Sequence, residues 1–407
     1  MEMILKPGLT IIHTKGFHSA VIQTGFLAGS RFDEKGQGSL AHLTEHLFVK
    51  TLESASHHPS NTPFTFLSEI DGQVEREMLY GYIKTAPSQM PEAMDRMMHA
   101  IYLDPLDATV FEKEKAAIAG AALQNEHNQD PYDLVFAKTY ELVFSSHSLA
   151  RAVTGTHKAS QTLTMEDVTH HFQARCRKGR KYMAIACDLD QIDLDSLLKP
   201  WESFFAATKA VSPISPDSPS LSFPDPNPQT LSLHQDAGIV EMTLSAPIPQ
   251  TSKIPFWLMD FVNDVLGKSP NSLLFKLIRE KYALAYDARS LCFHYTDGSL
   301  FIIYAGISNP DNQTQTVERI EEVLTYITSY LSEAELAIYK QAYIAHYWMK
   351  SDHLVNFTRS LISTALTQAP IHPHDLLVHI QSITLEDIEH FVSTCLHPSK
   401  LSRVIIR

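Results

Sequence analysis

A chain of 407 residues with 44% hydrophobic content is long for one core, and two domains of about 200 residues are the expectation. Its 33 Lys and Arg stand against 46 Asp and Glu, a formal net charge of −13, which argues against a nucleic-acid or anionic-membrane surface and tolerates basic peptides. Cys176, Cys187, Cys292 and Cys395 are scattered without C-x-x-C spacing, so neither a disulfide framework nor a cysteine zinc site is indicated, and a reducing cytoplasm is the simplest location.

The first residues run directly into a strand-like Leu9–His13. No basic segment followed by a long apolar one precedes it, so no secretion signal is expected. No apolar run approaches the roughly 18 residues that a membrane span needs. Residues 9 to 34 read as two strands, the second over Ala20–Leu27, with β-branched residues and punctuating glycines. A helix with His42-Leu43-Thr44-Glu45-His46 follows. At 3.6 residues per turn the two histidines lie one turn apart on one face with Glu45 beside them, while Leu40, Leu43 and Leu47 line a core-facing side. Two imidazoles and a carboxylate in this H-x-x-E-H order suit zinc, the imidazoles as ligands and Glu45 as a base. The bare pentapeptide also arises by chance in a chain with 21 His.

Residues 53 to 63 form a polar loop in which His57 and His58 read as solvated surface rather than extra ligands. Asp71-Gly72 reads as a turn opening a strand, and residues 88 to 101 as a helix with Met90, Ala93, Met97 and Ile101 toward the core. A second helix spans Phe111–Glu126, stopped by Asp130-Pro131. The order loop, helix, strand from residue 150 to Cys187, with a helix start at Thr164, recurs from Thr384 to Arg407. This internal repeat predicts an α+β fold of two related halves; the expected architecture is two homologous domains, each a mainly antiparallel sheet with helices packed on one side. The bounds are 1–205 for the N-terminal domain, 206–229 for a Pro/Ser-rich linker and 230–407 for the C-terminal domain. In the second half, strands from Thr230 to Pro247 precede a helix over Pro255–Leu266. An apolar helical stripe of Leu273, Leu274, Leu277 and Ile278 then ends in Arg279, with a strand-like exit to Tyr286. Residues 317–327 and 333–368 are helical by periodicity.

The segment from Phe26 to Glu34, then Gly38, then the helix through Thr51, resembles the signature of the inverted-motif zinc peptidases, the family of pitrilysin, insulysin and mitochondrial processing peptidase. The resemblance covers essentially the whole chain, at half the size of the family's four-domain clamshell, like a two-domain bacterial-type member. It implies zinc as cofactor, His42 and His46 as ligands, Glu45 as general base and unstructured peptides as substrate. In the family a second helix carries two glutamates seven residues apart, the later one being the third zinc ligand. Glu114 matches the first and Ala121 the second, and alanine cannot bind zinc. Glu126 is the stand-in, although it lies five residues beyond, about 140° round and about 7.5 Å along a helix. Glu114 and His127 are the other candidates, and a weak or vestigial site is the alternative.

The family's second motif, an Arg and a Tyr seven residues apart, matches Arg279 and Tyr286, with Ala283 where the family has Gly. The resemblance implies that both grip the substrate main chain near the scissile carbonyl. In the family they come from the opposite half, which implies a homodimer or a heterodimer with a related subunit. The substrate-binding edge strand near Asp71 is several residues shorter here than the family's, without its Asn-Ala and Thr-Ser pairs. Two functions follow: a zinc metalloendopeptidase acting in a two-chain chamber, or a non-catalytic subunit that binds peptide and lends Arg279 and Tyr286 to a partner's zinc site.

Overall fold

The computed structural model describes residues 2–34, 36–54, 67–102, 108–128, 130–207, 223–235, 238–368 and 371–407. His57, His58 and most of the 206–229 stretch lie outside them. The chain forms two compact units, one of Met1–His127, Arg151–Ser220 and Lys350–His372, the other of Asn128–Ala150, Leu221–Met349 and Pro373–Arg407.

The first unit holds a six-stranded sheet made of β1 (Glu2–Lys6), β2 (Leu9–His13), β3 (Ala20–Phe26), β4 (Ser68–Val74), β5 (Leu79–Thr85) and β6 (Lys181–Cys187), in the order β1-β2-β6-β3-β5-β4. Only the β2/β6 pair is parallel. Its helices are α1 (Leu40–Ser54), α2 (Met90–Tyr102), α3 (Ala108–Glu126), α5 (His157–Thr162), α6 (Met165–His171), α7 (Leu194–Ala207) and α11 (Leu354–Thr367). Alternation along β3 places Ile22 and Phe26 in one core with Phe48, Leu52 and Met97, all 2% exposed or less. Each such side chain contributes about 1.5–3 kcal/mol by leaving water. Met90, Ala93, Met97 and Ile101 of α2 are all buried in that core, as their spacing predicts.

The second unit holds β7 (Thr230–Leu233), β8 (Val240–Pro249), β9 (Asp287–His294), β10 (Gly298–Ile307) and β11 (Ser402–Ile406), ordered β7-β11-β8-β10-β9, again with a single parallel pair, β7/β11. Its helices are α4 (Pro131–Phe144), α8 (Phe256–Asn263), α9 (Gln313–Thr325), α10 (Glu333–Ser351), α12 (Pro373–Ser382) and α13 (Leu385–Cys395). The predicted repeat reappears in the helix starts. Thr164 and Thr384 each cap a helix through a reciprocal box, with Asp167 and Asp387 as the third helical residue. Among the described residues no helix is long and apolar enough to cross a membrane.

Three local readings change. Asp71 and Gly72 sit inside β4, opposite Tyr82 and Gly81, and the turn falls later, where the Glu75 N–H donates to Met78 O at 2.7 Å. The cause is steric: a Cβ at Gly81 would come within 2.4 Å of the Phe48 ring, and one at Gly72 within 1.9 Å of the Glu45 carboxylate. The facing glycines clear the space that α1 occupies. Pro131 does more than end α3. It opens α4, with the Asp130 side chain accepting the Tyr132 N–H. The expected domain bounds are continuous in sequence, whereas the units interleave. Helix α4 lies on β8 and β11 in the second unit, and α11 lies on β3 and β6 in the first. Each covers the sheet face opposite the other helices, as in the cluster of Tyr80, Tyr182 and Ala184 with Ile362 and Leu366.

Candidate active site

The start of helix α1 is held from two directions, by Asp33 before it and by Ser160 far downstream. The buried Asp33 carboxylate accepts the Ala41 N–H at 2.9 Å, satisfying one of the amides that a helix start leaves open. The Ser39 hydroxyl lies 2.8 Å from that of Ser160. Leu40, Leu43 and Leu47 are buried against Phe111 and Ile118 of α3, while Phe48 and Leu52 face the sheet. With those faces committed, His42 and His46 are left half-buried on another face and Glu45 beside the edge strand β4.

His42, Glu45 and His46 present ligand atoms within 4.8 Å of one another, and the imidazoles meet edge to face at 5.0 Å. His46 Nε2 lies 4.0 Å from Glu45 Oε2, and its other nitrogen, Nδ1, lies 2.9 Å from Glu114 Oε2. A carboxylate on Nδ1 fixes the tautomer that leaves Nε2 with its lone pair free, the usual arrangement behind a metal-bound histidine. Burial, with the neighbouring His46, holds His42 at about 4, so its ring is neutral. His42 Nδ1 is buried with no hydrogen-bond partner. Burial, then the charges of Asp71 and Glu114, push Glu45 up to about 8.

These residues fit a divalent metal through two imidazoles, but the second helix does not complete the set. Ala121 is exposed on α3, seven residues on from Glu114. Glu126, expected as third ligand, is not brought to the histidines: its Oε1 accepts the His157 N–H at 2.9 Å, on a different side of α3 as the five-residue offset requires. His127 turns back onto its own helix, with Nδ1 2.8 Å from Leu123 O. Of the three candidates, Glu114 alone reaches the pair, through His46.

In the second unit, Arg279 lies in a π-helical turn over Phe275–Lys281. Its guanidinium carbon is 4.8 Å from the Phe275 ring centre and 4.7 Å from that of Tyr286. The structure therefore joins the Arg and Tyr directly. Tyr286 is 71% exposed and immediately precedes β9, its N–H donating to Gly306 O at 2.9 Å. Ala283, at the family's glycine position, has φ +50°, the left-handed region that glycine enters freely. Sequence reasoning missed Gly72 as a site residue by reading Asp71-Gly72 as a turn. A glycine inside a strand pattern is the signal for a close approach.

Comparison with known proteins places the chain in a family. Residues 11–157 match the family model described as Insulinase (Peptidase family M16), and residues 162–343 match the Peptidase M16 inactive domain. An uncharacterized zinc protease of Rickettsia felis is 22% identical over 91% of this chain and 97% of its own length. A probable mitochondrial-processing peptidase subunit beta of Schizosaccharomyces pombe is 24% identical over 49% of this chain and 44% of its own. Among solved structures, a protease from Helicobacter pylori superposes with a TM-score of 0.81 at 16% identity, over 100% of this chain and 99% of that one. With a matched peptidase half followed by a matched inactive-domain half, the chain belongs to the insulinase (M16) family, as a half-size member.

Proposed function

We propose that this chain is a zinc-dependent peptidase of unstructured peptides, working as one half of a chamber closed by two chains. The observation that supports it is the meeting of His42, Glu45 and His46 on one face of α1, with Glu114 on the far nitrogen of His46. His42 and His46 would hold zinc, which when bound would supply Lewis-acid chemistry. Glu45, poised over Gly72, takes the proton of the attacking water and returns it to the leaving amine. An extended peptide adds as a strand along β4, the edge strand beside α1. Arg279 and Tyr286 donate to the carbonyl oxygen as charge develops. By the family resemblance they act on substrate at the metal of a second chain, either a copy of this one or a related subunit. The test is Glu45→Gln. It should retain metal while hydrolysis of an unfolded peptide falls on the order of 10²–10⁴-fold, and undiminished hydrolysis overturns the reading.

Ala121 favours a second reading, a degenerate subunit that binds peptide and lends Arg279 and Tyr286 to a partner's zinc site. The relative whose name marks it as a subunit agrees with a partnered role. Elemental analysis separates the two: about one zinc per chain for a peptidase, and well below that for the degenerate subunit. Ala121→Glu should then raise the metal content of the latter.

A further inference from the structure

A second convergence of metal-binding side chains lies in the other unit, away from the H-x-x-E-H motif in sequence. Cys292 and His294 stand two residues apart on β9, so their side chains share a face. Asp260 comes from α8, which packs against that face. The three donor atoms lie within 4.8 Å of one another. His294 Nε2 is 3.0 Å from Asp260 Oδ1 and 3.9 Å from Cys292 Sγ, while Nδ1 is 2.8 Å from Ser299 Oγ.

We propose that Asp260, Cys292 and His294 form a metal site for a divalent ion of the zinc class, distinct from the one on α1.

The ordinary alternative is a His–Asp ion pair with a thiol nearby. That account leaves one feature unexplained, because thiol and carboxylate gather on the same ring nitrogen. A single Nε2 proton can point at only one of them. A triad for nucleophilic catalysis would instead place the thiol on one nitrogen and the carboxylate on the other. Two further donors converging where one nitrogen lone pair points is the arrangement of coordination. The spacing agrees. Tetrahedral zinc, with Zn–N and Zn–O near 2.0–2.1 Å and Zn–S near 2.3 Å, sets its ligands about 3.3–3.6 Å apart. The 3.0 and 3.9 Å separations therefore need shifts of only about 0.4 Å.

The supporting shell is in place as well. Ser299 on the neighbouring strand β10 engages Nδ1 and so aims Nε2 at the carboxylate and thiol. The Ser290 hydroxyl donates to Asn263 Oδ1 at 2.7 Å, which ties β9 to the end of α8 and fixes the register of the ligands. A soft thiolate with an imidazole and a carboxylate selects zinc or cobalt over magnesium or calcium. Three protein ligands leave a fourth position for water. An ion here clamps β9, the edge strand of its sheet, to α8. Among the described residues, Cys176, Cys187 and Cys395 belong to no such group.

The test uses cobalt(II) added to the full chain after chelator treatment, read by the thiolate-to-cobalt charge-transfer absorption in the near ultraviolet. The α1 site contains no sulfur and is silent in this band. Wild type and His42→Ala should both develop it, Cys292→Ser should lose it, and Asp260→Asn should bind cobalt at least about tenfold more weakly. Circular dichroism checks that the variants fold. If Cys292→Ser does not, His294→Gln takes its place with the same expected loss. No band in wild type at saturating cobalt, a band that survives Cys292→Ser, or an Asp260→Asn variant as tight as wild type each overturns the site.

Discussion

Gly72 lies directly beneath Glu45: a Cβ added there would sit 1.9 Å from the Glu45 Oε1 and 2.7 Å from a methyl of Val49. The general base of the proposed reaction is thus positioned by an absent side chain on the edge strand. Gly72→Ala should force the carboxylate aside while leaving His42 and His46 on α1. Peptide hydrolysis should fall by about 10–100-fold with metal content unchanged, since a displacement near 1 Å is worth that much. Steady-state kinetics alongside elemental analysis check it, and unaltered turnover would mean that Glu45 is not held by this contact.

Glu114 Oε2 lies 2.9 Å from His46 Nδ1, so in the proposed site it would act on a metal only through that ring. Its removal in Glu114→Ala frees the ring to rotate and to take the other tautomer. Zinc affinity should drop about 10–100-fold, as for other carboxylates behind a ligating histidine. Competition with a chromogenic chelator measures it. Glu126→Ala, in contrast, should leave affinity unchanged, because that carboxylate caps the His157 amide.

Ala283 carries a φ of +50°, a conformation that costs an L-residue roughly 1–2 kcal/mol. Ala283→Gly relieves it, less the extra freedom that glycine gives the unfolded chain. A net gain of about 0.5–1 kcal/mol in urea unfolding is expected. A loss of stability would show that the neighbouring Tyr282 and Leu284 hold the turn without strain.

His171 is buried, with Nε2 3.2 Å from Ala28 O. Burial, aided by Arg175 and His170, lowers it from 6.5 to about 4. The unfolded chain therefore takes up a proton near 6.5 that the folded one refuses until about 4. The stability contributed by the neutral ring is complete above 6.5 and is lost as pH falls through that window. About 3 kcal/mol is at stake for a shift of this size. His171→Gln keeps a donor for the Ala28 carbonyl without the titration. Its unfolding free energy should change less than that of wild type between pH 7 and 4.5, measured by urea denaturation. Parallel curves would remove His171 as the source.

Local periodicity was enough to put His42, Glu45 and His46 together, since one helical turn fixes which residues share a face whatever surrounds the helix. The paired helix starts at Thr164 and Thr384 were legible for the same reason, because a capping box closes within four residues. The exchange of α4 and α11 between units was not legible, since an amphipathic helix reads the same whichever sheet covers it. Nor was the choice of Glu114 over Glu126. Both sit on one helix, and only the packing of α3 against α1 decides which carboxylate meets His46. Gly72 was hidden likewise, because the close approach it permits lies between a strand and a helix some 20 residues or more apart in the chain, and distances across such a gap are set by packing rather than by sequence neighbours.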